Sequence, residues 1–204
     1  MKTLTKELQT SMTPQDALTV LKEGNARFVA SKKADRNLTE QVLQTSTGQY
    51  PFGVVLSCID SRVPTELIYD LGIGDIFNVK VAGNVVNDDI LGSIEYGCKV
   101  AGSKLVVVLG HTKCGAVTAA CGNVELGNIT TLLSKITPAV DSFREGNEVV
   151  EGDTIEKVAL ENVKVSKQNI LSNSPILKEM EANGEIEIVC ASYDVATGVV
   201  TYFE

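Results

Sequence analysis

No stretch of the 204-residue chain approaches the roughly 20 consecutive apolar residues that a membrane-spanning helix needs, and Met1 to Thr10 lacks the apolar core of a secretory signal. A soluble, cytoplasmic protein is expected. Basic residues are outnumbered: 18 Lys and Arg against 26 Asp and Glu give a formal charge of −8 and a pI near 4.8. That balance disfavours sequence-independent binding to nucleic acid or anionic lipid, both of which rely on clustered cations. The partner expected is a small molecule or a protein. There is no tryptophan, no internal repeat and no low-complexity tract, and His111 is the only histidine. Five cysteines, an odd number at irregular spacing, do not form a secreted disulfide framework. They read as reduced thiols, some of them bound to metal.

What is present suits a folded domain. With 44% hydrophobic and 22% charged residues the chain can bury a full core, as one domain or one domain with an appendage. The appendage is residues 1–47, read as an N-terminal helical arm. Thr13-Pro14-Gln15-Asp16 has an N-cap, a proline at the first helical position and a carboxylate in the first turn. Leu18, Leu21, Phe28 and Val29 stripe one face, and Thr39 to Gln44 adds a short helix. Such a stripe must dock on the chain's own core or on a partner subunit.

Residues 48–204 alternate strand and helix. Strands are predicted near Val54 to Ser57, Ile76 to Val81, Lys104 to Leu109 and Ile186 to Ser192. Helices are predicted near Pro64 to Leu71, Asp88 to Val100, Gly115 to Cys121, Ile129 to Phe143 and Thr154 to Ser172. The fold class is therefore α/β: a mostly parallel sheet flanked by helices on both faces. Ala196-Thr197-Gly198 turns the chain into Val199 to Phe203, an antiparallel edge strand.

Two fragments carry the chemistry: Cys58-Ile59-Asp60-Ser61-Arg62 and His111-Thr112-Lys113-Cys114-Gly115. Each follows an apolar run, so each falls at the carboxyl end of a strand, where open α/β sheets gather their ligands. Cys58, His111 and Cys114 supply two thiols and an imidazole, a set that suits tetrahedral zinc with its fourth position free. A helix starting at Cys114 favours the thiolate form of that residue. Two thiolates and a neutral imidazole cancel the charge of the ion, so the water it binds depends more on neighbouring groups. Asp60 and Arg62 are those neighbours. A guanidinium can hold the carboxylate in a fixed orientation. Asp60 so held can accept a hydrogen bond beside the metal; released, it could take the fourth position and shut the site.

With these fragments in view, the chain resembles the β-class carbonic anhydrases. The resemblance extends through Leu21 to Phe28, Gln49 before Pro51, Ala82-Gly83-Asn84, and Gly92-Ser93-Ile94-Glu95-Tyr96. It implies one zinc ion per subunit on Cys58, His111 and Cys114, with Asp60 and Arg62 as a catalytic dyad. It implies a substrate pocket that includes Gln49, Phe77, Ala82, Tyr96 and Gly115, with Gln49 often acting across a subunit interface. The activity implied is reversible hydration of carbon dioxide to bicarbonate and a proton. The assembly implied is a homodimer or a dimer of dimers whose N-terminal helices embrace the partner. Lys80 stands where many relatives carry arginine, and the branch with an inhibitory bicarbonate site uses a tryptophan that this chain lacks. Since His111 is used as a ligand, no histidine is left to shuttle the proton.

Other readings compete. Singly, each cysteine reads as a buried small hydrophobe and His111 as a core histidine; Cys98, Cys121 and Cys190 keep that reading. Asp60 and Arg62 alone would be a surface pair of little energetic value. The same site could hydrolyse carbon disulfide or carbonyl sulfide. A non-catalytic redox sensor that releases zinc on oxidation is the third reading, although it has no use for the Asp60 and Arg62 dyad.

Overall fold

The computed structural model describes residues 3–146 and 148–204. The first two residues of the arm thus lie outside the described part. Five strands form one sheet: β1 (Gly53–Ser57), β2 (Ile76–Lys80), β3 (Leu105–His111), β4 (Glu187–Tyr193) and β5 (Val200–Phe203), in the order β2-β1-β3-β4-β5. The first four run parallel, and β5 pairs antiparallel with β4, Cys190 opposite Phe203 and Tyr193 opposite Val200.

The apolar strands are buried on both faces, and their residues divide by parity between two cores. Val54, Leu56, Val106, Val108, Ile188 and Cys190 share one cluster, which α5 (Asp88–Glu95), α9 (Thr154–Asn173) and α10 (Pro175–Ala182) complete. Val55, Leu105, Val107, Leu109, Ala191 and Tyr193 share the other, covered by α2 (Pro14–Val29) and α4 (Thr65–Ile68). This division follows from the two-residue period of a strand. Helices on both faces explain why β1 and β3 carry no polar alternation.

The helix α2 begins with a complete capping box: Thr13 Oγ1 accepts from Asp16 N–H, and Asp16 Oδ2 accepts from Thr13 N–H. Of its predicted stripe, Leu18 and Leu21 pack with Ala17 on this chain's own sheet and Phe28 lies against the same cluster, while Val29 is exposed. Gly24 is required for that approach, because a Cβ there would overlap the Tyr69 carbonyl. Asp70, with φ of 47°, locks the end of the arm. Its carboxylate accepts from Arg27 Nε and Arg36 Nη1, both at 2.6 Å, and from Ala34 N–H. Leu38, Val42 and Leu43 of α3 (Leu38–Thr45) remain exposed.

Some elements depart from expectation. Helix α1 (Lys6–Ser11) and α10 were not anticipated, and the span Ile129 to Phe143 is two helices, α7 (Gly127–Leu133) and α8 (Thr137–Asp141). Pro138 explains the break, since a proline in a helix interior lacks its N–H and clashes with the carbonyl four residues back. The helix predicted over Asp88 to Val100 changes character at Tyr96, where Tyr96–Val100 forms a wider π turn closed by Ala101 N–H on Tyr96 O. Strand β3 runs two residues further than read, so that His111 is its last residue, beside Tyr193. No helix among the described residues is long and apolar enough to cross a membrane.

Candidate metal centre

Cys58 follows β1 directly, His111 ends β3, and Cys114 is the N-cap of α6 (Gly115–Cys121). Because β1 and β3 are adjacent and parallel, their carboxyl ends deliver these residues to one place. Their donor atoms lie within 4.8 Å of one another, and all three residues are buried. Cys58 and Cys114 belong to a third apolar cluster that includes Val117, Leu133, Ile136, Val140 and Val158.

The state of each donor follows from its contacts. His111 Nδ1 lies 2.9 Å from Thr112 O. A carbonyl only accepts, so Nδ1 carries the proton and Nε2 presents a lone pair. That Nε2 is buried and has no hydrogen-bond partner, the kind of orphan a metal ion satisfies. Cys58 is pushed far below the ordinary thiol range, first by the Cys114 S–H, with burial opposing and with the Gly83 and Asp60 N–H groups assisting. Cys114 is pushed far up, first by the neighbouring Cys58 thiolate and then by burial. The Ala116 and Val117 N–H groups at the start of α6 pull the other way, toward the thiolate. With the two sulfurs so close, ionisation of one thiol opposes ionisation of the other. A divalent ion that draws on both thiolates and on Nε2 fits this donor set.

Asp60 and Arg62 pair beside the cluster. Arg62 donates from Nε and its backbone N–H to Asp60 Oδ1, at 2.9 and 2.8 Å, and from Nη2 to Oδ2 at 2.7 Å. The carboxyl is pulled down to about 2, above all by that guanidinium. Oδ2 takes one hydrogen bond and lies 3.9 Å from His111 Nε2, so it retains a lone pair beside the cluster.

The surrounding loops are fixed by contacts that sequence reasoning missed. Lys113, at φ of 56°, gives its N–H to Glu156 Oε1, and its carbonyl accepts from Arg62 Nη2. Lys80 Nζ donates to Val63 O at 2.7 Å, bracing the turn after the dyad. Gly83 N–H donates to Cys58 Sγ at 3.4 Å, while Asn162 and Ser166 of α9 bond the Gly83 and Asn84 carbonyls. No local pattern announces these contacts, because the partners lie 17 to 82 residues apart.

The pocket residues are distributed. Phe77 and Tyr96 meet edge to face at 6.1 Å and line a hollow of about 710 Å³ with Lys80, Asp88 and Asp89. Gln49 lines a second hollow with Thr45 and Ile73. Ala82 opens the turn that contains Gly83, and Gly115 begins α6, where a Cβ would meet nothing within 4 Å. Cys98, Cys121 and Cys190 are buried in the apolar clusters.

Residues 53–200 match the family model described as carbonic anhydrase. The chain belongs to the β-carbonic anhydrase family. It is 34% identical over 196 residues to carbonic anhydrase 2 of Mycobacterium tuberculosis, covering 91% of this chain and 90% of that protein. A carbonic anhydrase of Mycolicibacterium smegmatis is 34% identical over 193 residues, with 92% of each chain covered. Among solved structures, the β-carbonic anhydrase CafA of Aspergillus fumigatus superposes with a TM-score of 0.71 at 27% identity, covering 93% of this chain and 90% of that one. Carbonic anhydrases are lyases, and the α/β architecture described above is that of β-class carbonic anhydrases.

Proposed function

We propose that the protein catalyses the reversible, zinc-dependent hydration of carbon dioxide to bicarbonate and a proton. The observation that carries this reading is the meeting of Cys58, Cys114 and the unpartnered Nε2 of His111 beside an Asp60 whose two oxygens are both engaged by Arg62. Cys58, His111 and Cys114 would hold one zinc ion per subunit. When bound, zinc supplies the Lewis acidity that makes water a competent nucleophile near neutral pH.

The chain's own residues do the rest. Arg62 keeps Asp60 ionised and fixes its direction, so Oδ2 accepts a hydrogen bond from the attacking water and orients its lone pair toward the carbon. A bond forms from that oxygen to carbon as one C=O π bond becomes a C–O single bond, and one proton leaves. With His111 committed as a ligand, that proton passes to buffer or to other side chains. The engaged state of Asp60 supports an open rather than a self-closed site. It also weighs against a redox sensor, which would need thiols alone.

We further propose that Gln49, Phe77, Ala82, Tyr96 and Gly115 line the substrate pocket once a second subunit is in place. A homodimer or dimer of dimers is supported by the exposed Leu38, Val42 and Leu43 of the arm and by the tetrameric β-carbonic anhydrases solved from Sordaria macrospora. Five free, buried cysteines fit a reducing cytoplasm. Stopped-flow hydration of carbon dioxide on metal-quantified protein tests the activity. Rapid turnover that disappears with chelation is expected; full zinc loading without turnover would overturn it and favour the sulfur analogues.

A further inference from the structure

We propose that Asn162 is a positioning residue: by holding the Gly83 carbonyl it aims the Gly83 N–H at the Cys58 sulfur and thereby sets how much charge that thiolate gives to a bound metal. The inference rests on the reading of Cys58 as a metal ligand. Asn162 sits in the middle of α9 and is 1% exposed. Its Nδ2 donates to Gly83 O at 2.7 Å, while its Oδ1, equally buried, has no hydrogen-bond partner. A buried amide with one end unsatisfied is a cost that an apolar residue of similar size would avoid. Its one bond is the return for that cost.

The bond acts at a hinge. Gly83 has φ of 69°, and a Cβ there would lie 2.6 Å from Ile136 Cδ1 and 3.3 Å from Ala116 Cβ, so the turn is glycine for steric and conformational reasons together. The φ and ψ of this residue together set the direction of its N–H relative to its carbonyl. With the carbonyl pinned by Asn162, the N–H points at Cys58 Sγ at 3.4 Å. Ser166, one helical turn later, pins the Asn84 carbonyl instead and does not touch the Gly83 hinge. Hydrogen bonds to ligating atoms tune a metal site. A thiolate that accepts an N–H donates less electron density.

Cobalt(II)-substituted, full-length protein reads this directly through its thiolate-to-metal charge-transfer absorption. In Asn162→Ala and Asn162→Leu the band is expected at longer wavelength, because the sulfur lone pair is no longer lowered by the N–H. In Ser166→Ala, which removes a comparable buried hydrogen bond from the same helix, it is expected to stay in place. The leucine variant keeps the site filled if the alanine variant does not fold. An unmoved band in a folded Asn162 variant, or an equal movement in Ser166→Ala, overturns the proposal. Absence of any thiolate band in the cobalt(II)-loaded parent protein overturns the metal-site reading itself.

Discussion

Replacing Asp70 with asparagine should loosen the arm, and the size of the effect can be worked from its contacts. The side chain is 4% exposed and accepts from Arg36, itself 8% exposed, and from Arg27, which is 28% exposed. The asparagine would keep the shape and tolerate the φ of 47°. It would lose the charge and turn an NH2 toward one guanidinium. Breaking a buried pair from one side costs about 3–5 kcal/mol; the partial exposure of Arg27 places the loss at about 3 kcal/mol. That is roughly 100-fold in the unfolding equilibrium, or a fall in Tm of about 6–12 °C for a chain of this length.

The pH dependence supplies the check on cause. Burial alone would raise the Asp70 carboxyl, yet Arg27, the Ala34 N–H and Arg36 together hold it below its ordinary value. A carboxylate depressed in the folded state stabilises above its unfolded pKa of about 4, and that contribution disappears as pH falls through the folded value. Asp75, buried and raised chiefly by desolvation, acts in the opposite sense but in both proteins alike. Urea unfolding of parent and Asp70→Asn should therefore show a gap of about 3 kcal/mol at neutral pH that closes on acidification below about pH 4. A gap that is absent at neutral pH, or that persists unchanged into acid, would refute the reasoning.

Cys58→Ser and His111→Ala should each lose metal and turnover together, measured by metal analysis alongside stopped-flow; full activity in either would remove these residues from the ligand set. Asp60→Asn should keep its metal and lose about 100-fold or more in turnover, and an undiminished rate would exclude Asp60 from the reaction. Gly83→Ala should lose about 2–4 kcal/mol, from a left-handed backbone carrying a Cβ and from overlap with Ile136. Chemical unfolding reads that loss, and an unchanged midpoint would show that the turn relaxes freely.

The centre of the sheet was legible because β1 and β3 carry near-continuous runs of Val and Leu, and because strands buried on both faces have no polar face to obscure them. The candidate ligand residues were legible because chain punctuation at the ends of β1 and β3 coincides with unusual residue types. Helix α10 was missed because it begins at Pro175 with only Ser174 between it and the end of α9, where a proline reads as a loop. The division of the Ile129 to Phe143 region was available from Pro138 alone. The supports of the site, Glu156 on Lys113 and Asn162 on Gly83, join segments 43 and 79 residues apart and leave no periodic trace. The orientation of Asp60 is likewise a property of geometry, since the same residues permit an engaged or a released carboxylate.

The third apolar cluster also bears on the order in which the protein is made. Cys58 leaves the ribosome early, but the walls around it, Leu133, Ile136, Val140 and Val158, are synthesised some 75 to 100 residues later. Contacts of such long sequence separation form late in folding, after the loop between them has been closed. A nascent chain therefore carries an open Cys58 thiol through much of its synthesis, free to meet oxidants or competing metals. Fidelity of metal loading is then a matter of timing: the cage acquires its shape only when α9 has docked on the sheet.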